Sequence, residues 1–192
     1  MTGNDESSWS QDNWGIFDEL PGDLMMWVLI ASELLVFGAA LLAFLAVRAT
    51  DPAGFAVSQA MLDQTAAAFN TIVLVTSGLC AGLAVHYRKL GNRSRARLLL
   101  LTAALFGGIF LAVKGMEYAH KWEMGIGIET SAFFTFYYLT TGFHALHVAA
   151  GIIILGLVGW ADSERNMETG VSFWHMVDLV WVLLFPIIYV LR

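Results

Sequence analysis

Five long apolar blocks constrain this chain more than any other feature. They run from Leu24 to Val47, Ala66 to Val85, Leu98 to Tyr118, Ala132 to Val158 and Val171 to Leu191. Each approaches or exceeds the ~20 residues that a helix needs to cross a ~30 Å hydrocarbon core. In that medium every backbone N–H and C=O must be paired, which leaves helices or closed barrels. Barrel strands alternate in polarity over about ten residues, and these blocks do not. Only 14% of the residues are charged, against roughly 25% in a soluble domain. The expected fold is an all-α integral membrane protein, a five-transmembrane-helix bundle over residues 24–192. Residues 1–23 form an acidic N-terminal tail, with Asp5, Glu6, Asp12, Asp18, Glu19 and Asp23 and no Lys or Arg.

The segments between the blocks carry breakers and charges: Asp51-Pro52-Ala53-Gly54, Arg88 to Arg97, His120 to Thr130, and Asp162 to Gly170. Lys and Arg in short loops set orientation, and acids weigh little. Arg88, Lys89, Arg93, Arg95, Arg97 and Arg165 fall on one side; Arg48, Lys121 and Arg192 fall on the other. The richer side is expected to be cytoplasmic, with the N-terminus inside and the C-terminus periplasmic. Trp27, Trp122, Trp160 and Trp174 fall near predicted span ends, where amphipathic rings belong. The start is acidic rather than basic and then apolar, so no cleavable signal peptide is expected. A net charge of −6 gives no basic surface for nucleic acid. A single cysteine, Cys80, excludes an internal disulfide framework and Cys-rich metal sites, and reads as a packed small residue.

Small residues let helices approach closely in lipid. Gly78 and Gly82 form a GxxxG in the second span, and Ala104, Gly108 and Ala112 mark one face of the third. Both read as helix-packing faces.

Ionisable residues at membrane depth need a partner or a function. At 1.5 Å per residue, Glu33 lies roughly 14 Å into the first span, near the midplane. His144 and His147 reach a similar depth in the fourth span and share a face by i, i+3 spacing. These three form a candidate intramembrane proton or hydrogen-bond network. A carboxyl at that depth is neutral, or ionised only beside a donor such as a histidine. His175 and Asp178, in the cytoplasmic half of the fifth span, read as a structural polar pair. Lys114 and Glu117, near the outer end of the third, read as an intrahelical pair with Lys114 snorkelling to the interface. Two histidines fall short of a catalytic metal site, so no metal or haem is expected on this chain.

Four stretches resemble the cytochrome c oxidase subunit III family, the third subunit of haem–copper oxidases. They are WVLIASELLVFGAALLAF with Ser32-Glu33, FNTIVLVTSG from Phe69, FHALHVAAG from Phe143 and FWHMVDLVWVLLF from Phe173. They stand in the family's order. The resemblance implies a cofactor-free, non-catalytic helical subunit in the bacterial inner membrane, with catalysis, haem and metal on a partner subunit. In that family the subunit binds phospholipid and supports sustained turnover and proton uptake. The likeness to long members does not extend to two N-terminal helices that form one wall of a lipid-filled cleft, so the cleft lipids do not carry over. The opening LPGDLMMWVLIASELLVFGA from Leu20 looks most like the NorE proteins encoded with nitric oxide reductase. The alternative is a third subunit of a quinol or cytochrome oxidase.

A small transporter or proton channel is a different class. Transporters often show paired repeats with broken helices at mid-membrane. Here the spans are odd in number, and the one in-span proline, Pro186, lies near an end. That pattern favours the accessory subunit. The orientation is testable by cysteine labelling at Ser8 and near Arg192 in a Cys80→Ser background. We expect Ser8→Cys to be shielded from a membrane-impermeant reagent in intact cells; its labelling from outside would reverse the topology.

Overall fold

The computed structural model describes residues 24–161 and 163–191, so the acidic tail of residues 1–23 lies outside the described residues. Six α-helices follow one another: α1 Leu24–Thr50, α2 Pro52–Ala60, α3 Gln64–Lys89, α4 Arg93–Glu123, α5 Ala132–Ala161 and α6 Glu164–Phe185. A π-helical turn, Pro186–Val190, extends α6. Five of these segments are long and apolar enough to cross a membrane. The sixth helix, α2, is the departure from the five-block reading. Asp51-Pro52-Ala53-Gly54 separates two spans, yet it also starts a helix. Pro52 takes the first position, where a missing N–H costs nothing, and the Asp51 side chain accepts from the Gly54 amide.

Local chemistry sets the other ends. The Asp63 carboxylate accepts from the Thr65 and Ala66 amides, both at 3.0 Å, and so caps α3. Asn92 caps α4 through the Arg95 amide. Gly91 and Gly125 follow α3 and α4 at positive φ. The next amides, of Asn92 and Ile126, reach back to Tyr87 O and Lys121 O, which closes both helices in the Schellman manner. The last turn of the chain is tied down by α2 and its neighbours. Gln59 donates to Ile188 O and Leu191 O, Gln64 to Tyr189 O, and Arg48 to Leu191 O.

Helices α3, α4, α5 and α6 pack in a ring, each against two others, and α1 lies on the outside against α5 and α6. Trp174 of α6 sits at the centre and is fully buried. A Cβ on Gly107 of α4 or Gly151 of α5 would come within 2.6 Å of its ring. Its indole N–H donates to Ser77 Oγ on α3, and Ser77 in turn donates to Ala103 O on α4. The expectation that Trp174 belongs to an interfacial belt is therefore corrected. Trp122 and Trp160 are highly exposed near helix ends, whereas Trp174 binds four helices together.

The small-residue face of α4 is corrected too. Ala103 and Gly107 are buried, with Ala96, Leu100, Phe110 and Lys114 on the same stripe. Gly108 and Ala112 face outward and Ala104 is only half-buried. The stripe is displaced by one residue because the Trp174 ring, carried by a helix distant in sequence, needs space beside Gly107. Substitution by leucine separates these positions. Gly107→Leu and Gly151→Leu should each destabilise the purified protein by at least about 2 kcal/mol, through overpacking. Gly108→Leu should change it by no more than about 0.5 kcal/mol, as an open surface position. Thermal unfolding in a mild detergent reads the difference.

Candidate functional site

Near the middle of α1, Glu33 makes a polar contact with α5. Glu33 Oε2 lies 3.3 Å from His147 Nε2 of α5, with both side chains mostly buried. This is ion-pair distance, although the carboxyl oxygen is not aligned for a hydrogen bond. His147 Nδ1 is 2.9 Å from Phe143 O. A carbonyl only accepts, so Nδ1 carries the proton and Nε2 faces the carboxyl. The contact spares either group an isolated place among apolar spans, which would be costly. Phe37 of α1 packs edge-on against His147 at 5.6 Å and lies tilted against Phe143 at 5.2 Å, which walls the pair on one side.

His144 does not join this contact. It is wholly buried and turns toward α4 and α6, between Phe110 at 5.5 Å and Trp181 at 5.3 Å, the latter stacked. Neither of its ring nitrogens has a hydrogen-bond partner. Of the three residues read as one network, Glu33 and His147 meet and His144 stands apart. Helical spacing placed both histidines on one side of α5 but could not say which helix each would face.

The second polar cluster lies where α4, α5 and the π turn meet. Lys114 donates to Glu117 Oε2 at 2.9 Å, to Tyr137 OH at 3.2 Å and to Tyr189 OH at 2.5 Å. An ammonium has three protons, and each finds an acceptor here. The rings of Tyr118, Tyr137, Trp181 and Tyr189 surround Lys Nζ at 5.0–5.4 Å from their centroids, within cation–π range. The Lys114–Glu117 pair forms as spaced, but the snorkelling expectation is corrected: Lys114 is only 2% exposed. Snorkelling is unnecessary where charge and proton donors are satisfied inside. Lys121 is buried as well, 3.6 Å from Glu117 Oε1 and 3.4 Å from Met61 O. Sequence reasoning placed it in a loop, although its i, i+4 spacing from Glu117 was the available signal. Tyr137 and Tyr189 carried no local signal, because they reach the cluster from other elements.

His175 and Asp178 of α6 meet the GxxxG of α3. A Cβ on Gly78 would contact the Asp178 carboxyl and lie 3.4 Å from His175 Nδ1; one on Gly82 would lie 3.6 Å from His175 Nε2. The glycines thus make room for polar side chains of a different helix. Asp178 is buried, with neither carboxyl oxygen hydrogen-bonded, while His175 is exposed. Among the described residues, no three His, Cys, Asp or Glu gather into a group that could hold a metal ion.

These features define a multi-pass helical membrane protein whose polar groups tie its helices together. Residues 20–192 match the cytochrome c oxidase subunit III family, and the chain belongs to it. It is similar to the cytochrome c oxidase subunit 3 of Bacillus subtilis (strain 168), 29% identical over 177 residues that cover 88% of this chain and 85% of the relative. The subunit of the same name from Thermostichus vulcanus is 31% identical, covering 85% and 84%. A probable cytochrome c oxidase subunit 3 of Nocardia farcinica (strain IFM 10152) is 30% identical, again covering 85% and 84%.

The Lys114 cluster yields an ordered prediction. Glu117→Leu leaves two buried lysines without a counter-charge and should destabilise the protein by about 3–5 kcal/mol. Lys114→Met should cost less, because Glu117 keeps Lys121 and both tyrosines. Thermal unfolding of the two variants in the same detergent should show Glu117→Leu well below Lys114→Met.

Proposed function

We propose that this chain is a non-catalytic accessory subunit of a respiratory haem–copper oxidase superfamily complex. It supports the assembly, stability or proton uptake of a haem-bearing catalytic subunit in the bacterial inner membrane, oriented with its N-terminus in the cytoplasm. The single observation that carries this reading is the family match over residues 20–192. The Glu33–His147 contact supports it further, since it sets a carboxyl against an imidazole between two apolar spans. In this reading haem and metal belong to the partner, and this chain binds no cofactor of its own.

Two partners compete. The NorE-like opening from Leu20 favours a nitric oxide reductase. The names of the relatives favour an oxygen-reducing cytochrome c oxidase. Purification of the tagged chain from native membranes in mild detergent tests the reading, and the co-eluting haem subunit distinguishes the two. A chain that elutes alone, or that retains stoichiometric haem or copper by itself, would overturn it.

Glu33 variants then address its role. Glu33→Gln should assemble normally, because the amide can donate to His147 Nε2. Glu33→Leu should reduce the yield of complex by removing the polar group that faces His147 Nε2. If the pair also moves protons for the partner, Glu33→Gln should lower sustained turnover at unchanged yield. Wild-type yield and turnover in both variants would remove Glu33 from either role.

A further inference from the structure

His175 occupies an unusual place for an ionisable group. It lies eleven residues into α6 and is nevertheless exposed. Among the described residues, every other exposed ionisable side chain on a helix lies within two turns of that helix's end. Side chains of this kind inside spans almost always face protein or a water-filled cavity. Lipid tails offer an imidazole neither donor nor acceptor. The ring lies along the glycine stripe of α3, with Nδ1 beside Gly78 and Nε2 beside Gly82, so it adds little bulk to the groove between the two helices. A groove of about 260 Å³ runs from the Lys89–Glu168 ion pair at the helix ends down to His175. Leu79 of α3 and Leu179 and Val182 of α6 are exposed along the same face. Leu105 on α4 and Ile153 on α5 are exposed apolar residues on other faces and suit lipid.

We propose that the α3/α6 face centred on His175 is the docking surface for a transmembrane helix of the catalytic subunit. That helix presents a hydrogen-bonding side chain to the imidazole. This rests on the accessory-subunit reading and names the surface that reading requires. The glycines beneath the ring let it lie low between α3 and α6, and the flanking Leu79, Leu179 and Val182 supply the apolar contact. The polar pair across the interface sets its register, because sliding by one turn would leave the imidazole unpaired.

The test uses the whole complex in native membranes. A photo-crosslinking amino acid replaces Leu179 in one strain, Leu105 in a second and Ile153 in a third. The Leu179 probe should crosslink to the catalytic subunit, and the other two should not. In parallel, His175→Gln should co-purify the catalytic subunit as wild type does, and His175→Leu should lose most of it while the variant chain remains folded and at normal level in the membrane. Crosslinks to the catalytic subunit from Leu105 or Ile153 but not Leu179 would overturn this surface and leave the accessory reading intact. Crosslinks from Leu179 only to a second copy of the chain or to lipid would do the same. Full co-purification by His175→Leu would overturn the role of the imidazole. A chain with no haem-bearing partner in any strain would instead remove the accessory reading itself.

Discussion

The Trp174 indole fills a notch that two glycines leave open, and the positions of four helices follow from that fit. Between helices in a bilayer there is little hydrophobic driving force, since lipid tails are as apolar as leucine. Close packing and cross-helix hydrogen bonds must supply the association. Trp174 provides both: a large ring against the backbones of α4 and α5 at Gly107 and Gly151, and an indole N–H to Ser77 on α3. Trp181, two turns further along α6, repeats the device by donating to Thr71 on α3. Helix α6 is the most buried of the five long helices for this reason.

Around that frame the chain handles its ionisable groups in three ways. The Lys114 cluster is closed, with every ammonium proton accepted and aromatic faces around the charge. Glu33 and His147 meet across two helices at 3.3 Å. Asp178 is buried beside Gly78 without a hydrogen-bond partner, and His175 next to it is exposed. The closed cluster is structural, because nothing in it is left to bond elsewhere. The other two are not closed: Glu33 and His147 meet without an aligned hydrogen bond, and His175 reaches the surface.

Glu33 is also what fixes α1. That helix packs on only one side of the bundle, with Phe37, Leu41 and Phe44 as its buried residues. A helix with so narrow a contact gains specificity from a polar link, since an apolar seam alone tolerates sliding in lipid. His147 supplies that link one turn below Phe143, and Phe37 packs against both.

The five spans, their order and the residues that would need partners were legible from the sequence, because the length of an apolar block and the cost of a buried charge are properties of single segments. The Lys114–Glu117 pair was legible for the same reason: both residues lie on one helix at a fixed spacing. What stayed hidden was set by contacts between segments far apart in the chain. The glycines of α3 read as a helix-packing face, and the structure shows which helix meets it and through which side chains, His175 and Asp178 of α6. The small stripe of α4 read one residue away from the true one, because Trp174 decides which glycine must be bare. His144 and His147 read as equivalent, yet one is walled by Phe110 and Trp181 and the other meets Glu33. Periodicity along one helix fixes which residues share a face; which neighbour that face meets is decided only when distant helices pack, and in this protein that choice belongs to the tertiary structure.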